Sequence, residues 1–103
     1  MKSYVTTDTI GLKSTRWLEQ IAPYNTHKME LHRKHTALMV IDMQNFFLDP
    51  ASPSFTSGGP AILPNILRLI RAFRQAGRPI IYTKHVHHPD KLDAGIMGWW
   101  WEG

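Results

Sequence analysis

Residues 37–44 read Ala-Leu-Met-Val-Ile-Asp-Met-Gln, and this run constrains the rest of the chain more than any other stretch. Five apolar residues in succession stand between polar Thr36 and Asp42. The run is too short for a helix and carries β-branched Val40 and Ile41. It therefore predicts a fully buried strand of the kind found in parallel sheets covered on both faces. Asp42 follows at the strand's C-terminal end, and in open α/β sheets ligands bind in the crevice beyond those ends. A carboxylate placed there is partly desolvated and can be tuned as a base. Aspartate also opens turns and caps helices. Position alone leaves both roles open.

The segments that follow complete one structural unit. Residues 44–50, Gln-Asn-Phe-Phe-Leu-Asp-Pro, leave the strand, and residues 50–60 form a loop rich in Ser, Gly and Pro. Loops of this kind run over the surface and often carry binding residues. Gly58-Gly59 is not followed by Gly-Lys-Ser/Thr, so no phosphate cradle is expected, and the glycines serve to turn the chain into the next helix. Ile62, Ile66, Leu69, Ile70 and Phe73 recur at helical spacing, with Arg68, Arg71, Arg74 and Gln75 on the other side. This predicts a helix over 61–76. Pro64 is expected in its first turn, where a missing N–H has no partner to lose. Gly77 is expected to end the helix as a C-terminal cap. Residues 79–83, Pro-Ile-Ile-Tyr-Thr, read as a second strand, and strand, helix and strand make one right-handed parallel unit. The stretch 83–90 then lies beyond the end of the second strand, facing the same crevice as Asp42.

Composition narrows the class. With 103 residues the chain holds one domain at most, and 43% hydrophobic with 19% charged residues is ordinary for a soluble globular protein. No run of 18 apolar residues occurs, so no membrane span is expected. The first residues, Met-Lys-Ser-Tyr-Val-Thr-Thr-Asp, lack an apolar signal core, which implies a cytoplasmic protein. The absence of cysteine rules out disulfides and thiolate metal sites within this chain. The net charge is +4, with basic residues at 28–35 and at Arg68, Arg71, Arg74 and Arg78. Basic patches are the footprint of nucleic-acid binding. Here Arg71, Arg74 and Arg78 recur as the solvated face of one helix and no nucleic-acid motif accompanies them, so no nucleic-acid partner is expected.

Residues 1–35 form an N-terminal arm. Residues 14–21 predict a short helix capped by Ser14 or Thr15, with Trp17, Leu18 and Ile21 inward and Pro23 as its stop. His27, His32 and His35 are expected to be solvated. The arm is expected to pack over the domain or reach a partner subunit.

Three pieces in order carry a family resemblance. Residues 36–47, Thr-Ala-Leu-Met-Val-Ile-Asp-Met-Gln-Asn-Phe-Phe, resemble the first-strand signature of the isochorismatase-like cysteine hydrolases. Residues 62–70, Ile-Leu-Pro-Asn-Ile-Leu-Arg-Leu-Ile, follow at the family's spacing. Residues 79–90, Pro-Ile-Ile-Tyr-Thr-Lys-His-Val-His-His-Pro-Asp, resemble its second strand and loop, and Asp93-Ala-Gly and the tryptophans continue the likeness. The resemblance implies the N-terminal portion of a three-layer Rossmann-like α/β parallel sheet over residues 36–103.

It also implies a chemistry. Family members use an Asp, a Lys and a Cys: the thiolate attacks the substrate carbon, the Asp takes the thiol proton, and the Lys helps hold the charge. Asp42 matches the Asp. The family's Lys lies on a third strand and its Cys at a later helix start, and Lys84, on the second-strand loop, is not that lysine. The chain thus resembles the N-terminal half of such an enzyme, with Asp42 catalytic and Gln44, Phe46, His85, His87 and Trp100 forming a substrate wall.

His85, His87, His88, Asp90 and Asp93 supply nitrogen and oxygen enough to raise a zinc-type site. The related metal-binding nicotinamidases carry Asp-x-His at this point. This chain has His85-Val-His87, which removes the carboxylate ligand, so neither metal nor cofactor is expected and the histidines are assigned positioning and hydrogen bonding. Trp99, Trp100 and Trp101 are too large and apolar to leave in water. They are expected to line a pocket or meet further segments. The expected partners are a small amide, ureide or vinyl-ether substrate and either a second copy or a complementary C-terminal half. The competing reading is a non-catalytic remnant or interaction module that keeps the same βαβ unit for packing.

Overall fold

The structure is a computed structural model and describes residues 3–86. In chain order these form α1 (Ile10–Ile21), a 3-10 turn (Ala22–Tyr24), β1 (Leu38–Ile41), α2 (Asn45–Leu48), α3 (Gly58–Gln75) and β2 (Ile80–Thr83). β1 and β2 pair in parallel, with Leu38 opposite Ile80 and Ile41 opposite Thr83. α3 packs against both strands and against α2. The result is a small α/β unit, a two-stranded parallel sheet with its crossover helix.

The ladder is only four residues long, and side chains lengthen it at both ends. Before the strands, the Arg78 Nε–H donates to the Thr36 carbonyl at 2.8 Å and the Leu38 N–H to the Pro79 carbonyl at 3.0 Å. Beyond them, the Asp42 N–H donates to the Thr83 carbonyl at 3.2 Å. The side chain of Gln44 then takes up both backbone groups of His85.

Gly77 ends α3 as expected, with φ +67° in the left-handed region. The Gly77 N–H reaches the Arg74 carbonyl at 3.0 Å and the Arg78 N–H the Phe73 carbonyl at 2.8 Å, which is a Schellman cap. Arg78 therefore lies past the helix and not on its solvated face with Arg71 and Arg74; it turns back to Thr36 instead.

Four further expectations are corrected. The first strand is not covered on both faces: Val40 is buried, whereas Met39 and Ile41 are 53% and 59% exposed. α3 lies over the Leu38–Val40 side, and no described element covers the other. α3 begins three residues earlier than expected, at Gly58, so Pro64 falls inside the helix, where its ring nitrogen has no hydrogen for the carbonyl one turn back. Within this first turn Gly59 lies close to α2: a Cβ there would sit 2.7 Å from Leu48 Cδ2, so a larger residue would require the Leu48 side chain to shift. The apolar stripe of α3 is narrower than expected: Ile70 is buried and Ile66 and Phe73 are half-buried, together with Ala61, while Ile62 and Leu69 are exposed.

The fourth correction concerns the arm. α1 starts at Ile10, so Ser14 and Thr15 lie within it and not at its cap. The Thr9 hydroxyl accepts from the Thr6 N–H at 2.9 Å and folds the preceding turn. Leu18 and Ile21 are exposed; Trp17 is half-buried through stacking on Tyr4 at 5.9 Å, a contact within the arm. The arm does touch the domain, through the Ser57 hydroxyl donating to the Val5 carbonyl and Val5 beside Gly58. His27, His32 and His35 are exposed. No described helix is long and apolar enough to cross a membrane.

Candidate active site

Parallel pairing brings the C-terminal ends of β1 and β2 to one edge of the sheet, and Asp42, Gln44, Thr83 and His85 meet there. Asp42 is the first residue past β1. Its φ of +56° makes it the one non-glycine residue in the left-handed region among those described. That region is uncommon for residues with a side chain, and Asp and Asn are among those that enter it most readily. Here the conformation is held by its neighbours. The Asp42 N–H donates to the Thr83 carbonyl at 3.2 Å and to the Thr83 hydroxyl at 3.3 Å, and the Asp42 carbonyl accepts from the Gln44 N–H at 2.9 Å. The backbone thus reverses at Asp42, whose residue is half-buried at the sheet edge.

Gln44 does two jobs with separate parts. Its backbone starts α2: the Gln44 carbonyl accepts from Phe47 N–H at 2.9 Å and Leu48 N–H at 3.1 Å. Its side chain leaves the helix and pairs with the second strand's loop. Gln44 Nε2 donates to the His85 carbonyl at 2.9 Å, and the His85 N–H donates to Gln44 Oε1 at 2.8 Å. A primary amide carries the same donor and acceptor as a peptide, so the side chain acts as one more rung of the ladder. These two bonds use one of the amide's two donors and one of its acceptor sites.

Phe46 is half-buried, with its ring edge-to-face against Phe47 at 5.1 Å, and its carbonyl accepts from the Ser52 hydroxyl at 2.6 Å. The loop after α2 is thereby tied back to it. His85 is exposed beside the Gln44 amide. Of the residues assigned to the site by sequence, Asp42, Gln44 and His85 share this edge. His87 and Trp100 lie outside the described residues, as do His88, Asp90 and Asp93. Among the described residues no group of three or more His, Cys, Asp or Glu side chains could hold a metal ion.

Thr83 was missed. Its place as the last residue of an apolar strand, opposite the one carrying the aspartate, is the signal that would have found it. The role of Gln44 as a strand partner had no signal, because one polar residue after a strand has no period.

The sequence of this chain matches a known family. The isochorismatase domain model matches residues 36–102, so the chain belongs to the isochorismatase family of hydrolases. It is similar to Nicotinamidase 3 of Arabidopsis thaliana, with 39% identity over 80 residues, covering 78% of this chain and 36% of that protein. A probable inactive nicotinamidase of the same plant is 39% identical over 64 residues, covering 62% of this chain and 33% of that protein. The ureidoacrylate amidohydrolase RutB of Pseudomonas syringae pv. syringae (strain B728a) is 33% identical over 82 residues, covering 74% of this chain and 33% of that protein. The chain spans about a third of the length of these relatives. No solved structure matches it.

Proposed function

We propose that this chain supplies the aspartate-bearing part of an isochorismatase-like hydrolase acting on a small amide, ureide or vinyl ether. Asp42 is the proton acceptor in this reading. The observation that carries it is the left-handed Asp42 at the C-terminal end of β1, fixed by Thr83 beside a loop that Gln44 holds. A backbone conformation that costs roughly 1–2 kcal/mol persists where neighbours impose it, and such conformations cluster at functional sites.

With an amide or ureide, the carboxylate would take the proton of a thiol as that thiol attacks the carbonyl carbon, so that charge moves onto the carbonyl oxygen and not onto bare sulfur. This chain has no cysteine, so the thiol and the family's lysine come from other segments of the domain or from a partner. Those segments extend the two strands into the three-layer Rossmann-like sheet of the family. Phe46, His85, His87 and Trp100 then form the substrate wall, with Gln44 positioning His85. The composition, ordinary for a soluble domain, is in line with a cytoplasmic location.

The test combines the chain with a segment carrying the lysine and cysteine of a relative. Ammonia release is followed from nicotinamide and ureidoacrylate, with vinyl-ether cleavage followed in parallel. Turnover is expected only when both parts are present. Asp42→Asn should lower it by about 10²–10⁴-fold, the usual contribution of a positioned base, while leaving the fold intact, because Asn also enters the left-handed region. An Asn variant at full rate would reduce Asp42 to a turn residue. A second reading, a non-catalytic module keeping the same βαβ unit, is favoured by the missing cysteine and by the relative named probably inactive. It predicts no turnover with any complementing segment.

A further inference from the structure

The Leu38 N–H donates to the Pro79 carbonyl at 3.0 Å, and further along β1 the Asp42 N–H donates to the Thr83 carbonyl at 3.2 Å. Both are rungs of the parallel ladder, made by backbone atoms that any residue supplies. The bond from the Asp42 N–H to the Thr83 hydroxyl at 3.3 Å is different, because it needs this side chain. One N–H is thus shared between two acceptors at nearly equal distance. Resting on the reading of Asp42 as the proton acceptor, we propose that the Thr83 hydroxyl is a positioning group. It acts through the Asp42 N–H to hold the left-handed turn, and so keeps the carboxylate at the crevice.

What the turn does follows from the pleat of the strand. An extended chain alternates its side chains between two faces. An Asp42 that relaxed to extended backbone would share the face of Val40, which is buried on the α3 side. The positive φ therefore separates a base at the sheet edge from a carboxylate turned toward the helix. The hydroxyl is well placed to hold that φ. Thr83 is half-buried, where a hydrogen bond is stronger than in water. Its β-branch restricts χ1, which fixes the oxygen beside the Asp42 N–H. Among the described residues the hydroxyl has no other hydrogen-bond partner, so no competing bond accounts for its placement. The precision matters because a catalytic group works within about 0.5 Å and 10–20° of its productive geometry, and a misplacement of about 1 Å can cost 10²-fold.

The test compares the full chain with Thr83→Val, which keeps the branch and removes the oxygen, and with Thr83→Ser, which keeps the oxygen. Two NMR signals are read at Asp42: the NOE between its own amide and Hα protons, strongest when φ is positive, and the hydrogen exchange of its N–H. Thr83→Val is expected to weaken the NOE and to lower N–H protection by roughly two- to tenfold, the equivalent of one hydrogen bond. The Leu38 N–H should keep its protection, and Thr83→Ser should retain both Asp42 signals. In the enzyme reconstituted with the lysine- and cysteine-bearing segment, Thr83→Val should lower kcat by a similar factor at unchanged KM, because a positioning group acts through Asp42 and not on the substrate. The proposal is overturned if Thr83→Val leaves both Asp42 signals as they were, if protection falls equally at Leu38, if Thr83→Ser behaves as the valine variant does, or if the loss falls on KM alone. The NMR signals decide the role of Thr83 whether or not reconstitution yields turnover, whereas the reading of Asp42 as proton acceptor fails separately, on Asp42→Asn working at full rate.

Discussion

Removing the Gln44 side-chain amide should release the loop after β2 while leaving the sheet itself paired. In Gln44→Leu both bonds to the His85 backbone, at 2.9 and 2.8 Å, are lost together. An intramolecular hydrogen bond contributes about 0.5–1.5 kcal/mol net, and both of these lie where water can replace the lost partner, so the pair contributes about 1–2 kcal/mol. Little of this need appear as global destabilisation, because the loop can open without the strands. The readout is therefore amide hydrogen exchange. The His85 N–H should lose roughly tenfold in protection, the equivalent of about 1.4 kcal/mol. The Leu38 N–H, bonded to Pro79 at the far end of the ladder, should exchange as before. Gln44→Glu separates the two bonds: a carboxylate still accepts from the His85 N–H but cannot donate to its carbonyl. It should fall between the amide and leucine. Unchanged His85 exchange in Gln44→Leu would refute the idea that this side chain serves as a rung of the sheet, as would equal loss of protection at Leu38.

Gly77→Ala should lower stability by about 1 kcal/mol in urea melts, since φ is +67° and a Cβ there meets no atom within 4 Å, so backbone strain is the whole effect. Pro64→Ala should raise the melting temperature, restoring an N–H inside α3; the gain is about 2 kcal/mol, a proline's interior cost of about 3 less the roughly 0.4–1 it contributes by stiffening the unfolded chain. The purified chain should self-associate at low micromolar concentration, because Met39, Ile41 and Ile81 leave an apolar sheet face exposed. A compact monomer in sedimentation would refute that expectation.

What could be read in advance was whatever depends on local chain physics. The run ending at Ile41 and the run ending at Thr83 were legible as strands because continuous apolar runs rich in branched residues suit little else. Gly77 was legible because a helix that stops without a proline commonly needs a left-handed residue. Burial was not legible, since it depends on what packs from elsewhere: the pattern of β1 suits two covered faces, and the described structure covers one. The start of α3 was misread for a related reason. Gly58-Gly59-Pro60 has the composition of a turn, yet it forms the first turn of α3 with Gly59 against Leu48, a contact that sequence spacing does not encode. At the site, Asp42 stood out by its place after the strand. The partners that hold it did not, because Thr83 lies 41 residues away and meets it only once the register is set.

Register is what joins these observations. A four-residue parallel ladder is short, and a slip of one residue would turn every side chain of a strand to the other face. Val40 would leave the α3 side and Met39 would take its place, at a cost of order a buried aliphatic side chain. The same slip would carry Asp42 away from Thr83, so its N–H would lose both acceptors and nothing would hold the left-handed turn. Hydrophobic pattern alone guards a strand this short only weakly, with Val40 its single buried residue. Arg78 on Thr36 before the strands and Gln44 on His85 after them add a fixed bond at each end, and neither survives a slip. The two side chains therefore do for a short sheet what extra length does for a long one. They hold the pairing that puts a carboxylate at the edge of the crevice, and they do so from outside the apolar residues that identify the strands.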